Sequence, residues 1–186
     1  MSQNKVYRLL KQENLLVPKN LRLKAKRTKS RSKPRASKPN QYWGIDMTKI
    51  KTQFGWAYVV VVLDWFSKKV VGHYMGEQSK TRHWLIALNR AVNKQFPDGV
   101  RDHGLSLISD NGCQPTSQEF SSSCALMDIQ QIFTSFNNPK GNADTERFMR
   151  TMKEECVWLK QWKTPQHLKT ELEAWINFTV QPKVPA

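Results

Sequence analysis

The chain has 186 residues, of which 39% are hydrophobic, enough for one domain with a real core and some appendages. Thirty Lys and Arg stand against fifteen Asp and Glu, a formal net charge of +15, which disfavours cationic partners and favours a polyanion, first of all nucleic acid. Three cysteines without a CxxC pair and four scattered histidines exclude a disulfide framework or a zinc cluster and fit a reducing compartment.

The charge is unevenly placed. Before Asp46 there are 13 Lys or Arg and a single acid, Glu13, whereas the remainder is nearly balanced with 17 basic and 14 acidic residues. A near-neutral domain therefore carries a cationic arm. The polar N-terminus does not read as a secretory signal. The longest apolar run, Trp56 to Phe66, contains Asp64 and is too short to span a bilayer, so a protein of the cell interior, the cytoplasm, is expected.

Residues Lys5 to Leu16 read as a short amphipathic helix with Val6, Leu9 and Leu10 on one side, a length that is marginal in water without a partner. From Lys19 to Lys38, ten of twenty residues are Lys or Arg among Ser and Pro, giving an extended linker. Lys24, Lys26, Arg27, Lys29 and Arg31 are its candidate phosphate contacts, which would make binding strong and salt-sensitive; a solubilising spacer is the alternative.

Order is expected from Gln41. Tyr42 to Ile50 reads as a first strand with Asp46 in its middle, Trp56 to Phe66 as a β-branched second and Val70 to Gly76 as a third, joined as an antiparallel meander. Thr81 to Phe96 is a helix with Trp84, Leu85, Leu88, Ala91 and Val92 apolar, ended by Pro97. Leu105 to Ser109 is a short buried strand delivering Asp110 to an Asn111-Gly112 turn. Thr116 with Glu119 has the spacing of a capping box for the next helix, and Ile129 to Ser135 is a last strand.

After the break at Pro139 and Gly141, Asn142 can cap a helix running to Cys156. Glu146, Arg150 and Lys153 fall at i, i+4 and i+7 on one flank, and Phe148, Met149, Met152, Cys156 and Leu159 form an apolar stripe beside them. The plain alternative is a surface helix with Glu146 paired to Arg150. An amphipathic helix from Pro165 to about Val180 closes the ordered part. Strands followed by alternating helices and strands imply an α/β fold, a mixed sheet flanked by helices.

Asp46, Asp110 and Glu146 thus stand where they can converge on hard cations, which take oxygen ligands and keep positions open for phosphate. Asp110 could also be only a turn residue, and Asp46 could pair with a lysine. An Asp in an apolar strand is costly unless satisfied, which favours a metal there.

The order WGIDMT, LISDNG and GNADTERFMRTMK resembles the catalytic core of the DDE transposases of bacterial insertion sequences, which is also that of retroviral integrases. Residues 111 to 145 place 35 positions between Asp110 and Glu146, the interval of that superfamily, and Lys153 matches its basic residue seven positions after the Glu. The resemblance covers about residues 42–178. It implies a ribonuclease-H-like, five-stranded fold and polynucleotidyl transfer in DNA transposition. It implies Asp46, Asp110 and Glu146 as catalytic ligands of two Mg²⁺ ions, with Mn²⁺ able to substitute. Lys153, assisted by Arg150, would contact DNA, Asn142 would order the start of the helix, and Ser109 and Asn111 would shape the loop at Asp110. Asp64, Asp144, Glu154 and Glu155 are set aside as acids off the site.

The resemblance divides the chain into a helix-turn-helix remnant at 1–17, the basic linker at 18–40, the core at 41–180 and a tail at 181–186. GNADTE is shorter between its Asn and Glu than many relatives, and the segment after the last helix departs from the family pattern. A second-reading-frame product shortened at both ends is therefore expected, one that joins an upstream helix-turn-helix part and assembles as a homo-oligomer on transposon-end and target DNA. An inactive DNA-binding remnant that regulates transposition, or a purely hydrolytic nuclease of the same fold, are the alternatives.

Overall fold

The computed structural model describes residues 3–13, 34–134 and 141–180. The linker lysines and arginines at 24, 26, 27, 29 and 31 lie outside that range, as does the tail from 181. A helix, α1 (Gln3–Gln12), is present where the first amphipathic segment is expected, though it ends four residues sooner.

Three strands follow in a meander: β1 (Tyr42–Thr52), β2 (Gly55–Asp64) and β3 (Val70–Gly76). The valine run from Val59 to Val62 suits the pleated, doubly covered centre of a sheet, and all four are fully buried. Then come α2 (Thr81–Gln95), β4 (Ser106–Ser109), α3 (Gln118–Leu126), β5 (Gln130–Phe133), α4 (Ala143–Glu155), one 3₁₀ turn (Val157–Leu159) and α5 (Pro165–Val180).

The sheet order is β3-β2-β1-β4-β5. Neighbours within the meander are antiparallel, and β1 with β4 and β4 with β5 are parallel, as strands returning through α2 and α3 must be. This is the mixed five-stranded sheet expected from the sequence. Among the described residues no helix is long and apolar enough to cross a membrane.

Strand alternation divides the core in two. Trp43, Ile45, Val60, Val62 and Leu107 pack against α2 and α3, with Trp84, Leu88, Ala91 and Phe120 at the centre. Ile50, Val59, Val61, Leu63 and Ile108 face the other way, against Met149 and Met152 of α4 and Leu168, Leu172 and Ile176 of α5. Two glycines allow the helices in. A Cβ on Gly72 would lie 2.3 Å from the Ala87 carbonyl oxygen of α2, and one on Gly44 would lie 1.9 Å from Thr145 Oγ1 of α4.

Two local expectations are corrected. The cap of α3 is Ser117, whose Oγ accepts from the Phe120 amide; the Thr116 hydroxyl instead donates to the Gly112 carbonyl in the preceding turn. Leu159 is not part of the apolar stripe of α4. That helix ends at Glu155, the 3₁₀ turn breaks the 3.6-residue period, and Leu159 is left exposed.

Candidate active site

The parallel pairing of β1 with β4 sets Tyr42 opposite Ser106, Trp43 opposite Leu107 and Gly44 opposite Ile108. Continued by two residues, the same register brings Asp46 level with Asp110. Adjacent strands are about 4.8 Å apart, and residues two apart share a face, so both carboxylates lie on the α4 side of the sheet near one another. The ladder itself ends at Gly44 and Ile108, and it is the direction it gives both strands that brings residues 64 positions apart in sequence toward each other.

The third acid comes from the helix packed on that face. Glu146 is one turn into α4, and with Asp46 it lines an open cleft of about 380 Å³ whose wall also carries Arg150, Lys153 and Trp158. The flank of Glu146, Arg150 and Lys153 predicted from helical spacing thus faces one cavity. Met149 and Met152 beside it are buried in the core, and Phe148 is half-buried against Trp175.

What seats α4 there is a contact across the chain. Trp65, at the end of β2, accepts a place beside β1 through its amide, which donates to the Tyr42 carbonyl. Its indole Nε1 then donates to Thr145 Oγ1 at 3.1 Å, and both side chains are buried. Because Gly44 has no side chain, Thr145 can reach the sheet, and Glu146 is the next residue.

The electrostatics agree with this arrangement. Burial pushes the Asp46 carboxyl up to about 6, opposed by a hydrogen bond from the Met47 amide; the charges of Asp110 and Glu146 push it further up, and Lys153 pulls it down. All three other groups of the candidate site are thus felt at Asp46. Asp46 Oδ1 accepts from the Met47 amide at 2.7 Å, and Asp110 Oδ1 accepts from the Gly112 amide at 2.9 Å. The second oxygen of each carboxylate has no hydrogen bond among the described residues.

That donor set suits a hard divalent cation: carboxylate oxygens only, one of them buried at an energetic cost that a cation relieves, beside a cleft open to solvent. Among the described residues, no three His, Cys, Asp or Glu side chains stand close enough to close around one ion. Asp46 and Glu146 share the cleft, and Asp110 stands near enough for its charge to act on Asp46.

The loop at Asp110 is tied at both ends. Asn111 Nδ2 donates to the Thr134 carbonyl beyond β5, the Thr134 amide donates to the Ser109 carbonyl, and Ser109 Oγ donates to the Asp110 carbonyl. Asn142 occupies the cap position of α4, and its carbonyl accepts from the Glu146 amide at 3.0 Å. Its side chain does not cap. At φ −123°, ψ 21° the backbone is not extended, as a side-chain cap requires, and Oδ1 is buried with no hydrogen-bond partner among the described residues.

Three of the four acids set aside, Asp64, Asp144 and Glu154, have structural partners. Asp64 is buried and accepts from the Asn40 amide and from the amide and hydroxyl of Ser67. Asp144 pairs with Lys68 at 3.1 Å. Arg150 pairs with Glu154 at 2.7 Å rather than with Glu146, which corrects the plain reading of the helix; Glu154, expected off the site, lines the same cleft as Glu146. Sequence reasoning missed Gly44, Trp65 and Thr145. Their only signal was a glycine inside a strand two residues before an acid, a mark of close backbone approach.

A mixed sheet in the order β3-β2-β1-β4-β5, with carboxylates from two adjacent strands and a facing helix, is the ribonuclease-H-like architecture. The chain matches the integrase core domain family over residues 36–139 and belongs to it. That match takes in Asp46 and Asp110 and ends before Glu146. The transposase for insertion sequence element IS904 of Lactococcus lactis is 31% identical over 140 residues, 75% of this chain and 51% of that protein. The chain spans about half or less of the length of the curated relatives it matches. The HTLV-2 integrase catalytic core domain in complex with magnesium superposes with a TM-score of 0.55 at 20% identity, over 78% of this chain and 86% of that one. The catalytic domain of the Mos1 mariner transposase gives 0.59 at 16% identity, over 74% and 70%. At those identities the likeness is one of fold.

Proposed function

We propose that this chain is the catalytic core of an insertion-sequence transposase that cuts and joins DNA phosphodiesters at Asp46, Asp110 and Glu146. The observation that supports the reading is the β1–β4 register, which, continued two residues past its last pair, would set Asp46 opposite Asp110, together with the cleft that Asp46 shares with Glu146. The IS904 transposase relative and the fold likeness to the integrase core, the latter described with magnesium, support it.

In this reading the three acids hold two Mg²⁺ ions, for which Mn²⁺ can stand in. Such ions, when bound, activate an attacking oxygen and stabilise the leaving one in an in-line displacement at phosphorus. The chain's own residues do the rest. Asp46, on which the charges of the other two acids act, would serve as a ligand in its ionised form. Lys153 supplies positive charge at the cleft for a scissile strand, and Arg150 lies next to it on the exposed flank. Gly44, Trp65 and Thr145 position Glu146, and Asn111 holds the Asp110 loop. The basic segment with Lys24, Lys26, Arg27, Lys29 and Arg31 adds phosphate contacts that do not read sequence. DNA ends and target are the substrates, in the cell interior, with a homo-oligomer and an upstream helix-turn-helix part completing the working assembly.

The test is Mg²⁺- or Mn²⁺-dependent cleavage and joining of oligonucleotides that carry the element's ends. Loss of a metal ligand worth several kcal/mol lowers the rate by about 10³-fold, so Glu146→Gln and Asp110→Ala should yield no joined strands while still binding DNA. Joining by either variant at the wild-type rate would remove the assignment.

A further inference from the structure

Past the Asp46 cleft the surface continues into a second open groove, of about 560 Å³, that shares Lys153 and Trp158 with it. One wall is the second half of β1, with Lys49 and Lys51. The other is the chain after α4, with Trp158, Lys160 and Trp162. Among the described residues no Asp or Glu lines it, although Glu171 outside the groove pairs with Lys160 at 2.9 Å.

The groove exists because β1 outruns its partner. β4 pairs only with residues 42–44, so the β1 edge from Asp46 to Thr52 faces this opening rather than another strand. Trp162 is a fixed floor: it is buried, and its Nε1 donates to the Val157 carbonyl at 2.7 Å. Trp158 is different. It is 66% exposed, at the junction of groove and cleft.

Lysines on an open strand edge also serve simply to block edge-to-edge pairing, which would account for Lys49 and Lys51. It does not account for a solvent-facing tryptophan on the opposite wall, nor for Lys153 beside it; Lys160 has Glu171 as a partner. Cations along a track with an exposed aromatic ring are instead what a single nucleic-acid strand needs, the cations for its phosphates and the ring for a base.

We propose that this groove holds a short single-stranded stretch of DNA leading out of the Asp46 cleft, with one base stacked on Trp158. The proposal rests on the catalytic reading for the direction of the strand, which must enter at the acids. It adds that end DNA with an unpaired tail binds better than a blunt end.

The test uses the full chain and end oligonucleotides, blunt or with a three-nucleotide tail carrying 5-iodouracil. Photocross-linking should attach the tail to Trp158, in Glu146→Gln as in the wild type, since no chemistry is needed. Trp158→Ala should weaken binding of the tailed end about tenfold with no change for the blunt end; Trp158→Phe should recover most of that, and Lys51→Glu should lower the salt dependence for the tailed end alone. Lys94→Glu on α2 is the control away from the groove. Cross-linking only to the basic segment 19–38, or equal affinities of Trp158→Ala and wild type for the tailed end, would overturn the proposal. If Trp158→Ala joins and binds tailed ends normally while Glu146→Gln abolishes joining, the groove is wrong and the catalytic reading stands. If the wild type joins nothing yet cross-links at Trp158, the reverse holds.

Discussion

On the α2–α3 face of the sheet the start of β1 is sealed: Trp43 and Ile45 have no exposed surface, cover thins only from Met47 onward, and Gly72 brings the α2 backbone close enough that a methyl group would collide with it. On the α4–α5 face Gly44 plays the matching part for α4, but the seal stops two residues later. Asp46 and Thr48 are only half-covered, and full burial resumes at Ile50. The same close-approach device therefore serves packing on one face and positioning on the other. A buried carboxylate is tolerated where the helix stands off, and the resulting gap is the cleft.

The largest effect that would test this contrast is at Asp46. Its carboxyl is raised from an ordinary 3.8 to about 6, so its own contribution to metal-free stability is fully kept below pH 4, where the group is protonated in both states, and is lost as pH rises through 6. Asp46→Asn should therefore raise the metal-free unfolding free energy at pH 8 by about 2–3 kcal/mol, with the gain vanishing toward pH 4, as followed by urea denaturation. Mn²⁺ should stabilise the wild type and leave this variant unmoved. A stability difference that is independent of pH would contradict the buried, mutually repelling site.

Next come the two glycines. Gly44→Ala and Gly72→Ala should each cost about 1–3 kcal/mol by overpacking. Only Gly44→Ala displaces Glu146, so its joining rate per folded molecule should fall about a hundredfold while that of Gly72→Ala holds. Equal activity losses would show that the two faces do not differ in role.

A smaller effect belongs to Thr145→Val, which keeps the shape but removes the oxygen that accepts from Trp65 Nε1. A loss of about 1 kcal/mol is expected, with a larger fractional loss in joining than in stability. The smallest is Arg150→Ala. The Arg150–Glu154 pair is exposed, and its loss should leave the melting temperature unchanged within error; a clear drop would mean that this flank of α4 is not the solvated one.

Much of this was readable from the chain. The valine run, the alternation around Asp46 and the period of α2 and α4 are local signals, and the three acids of the proposed site were picked out by the family resemblance, through their order and the 35-residue interval between the last two. What was not readable depends on which of two equivalent neighbours the fold selects. Arg150 has a glutamate four residues away on either side, and only the direction in which Glu146 points decides between them. Thr116 and Ser117 are both competent caps, and the turn at Gly112 takes the first. Trp65 and Thr145 are 80 residues apart, and no periodicity connects them. Asn142 was placed correctly at the head of α4, yet its side chain is turned inward instead of capping.

The Trp65–Thr145 hydrogen bond also orders events in time. Chains emerge from the ribosome N-terminus first, and β1, β2 and β3 pair with their immediate neighbours in sequence, so the meander can form while α4 is still unmade. Asp46 is then in place on its strand and Asp110 follows with β4, but Thr145 has not reached Trp65 and the third acid is missing. A nascent chain has a nearly complete sheet and an incomplete site until its last helices arrive, and the contact that completes packing on that face also completes the set of carboxylates.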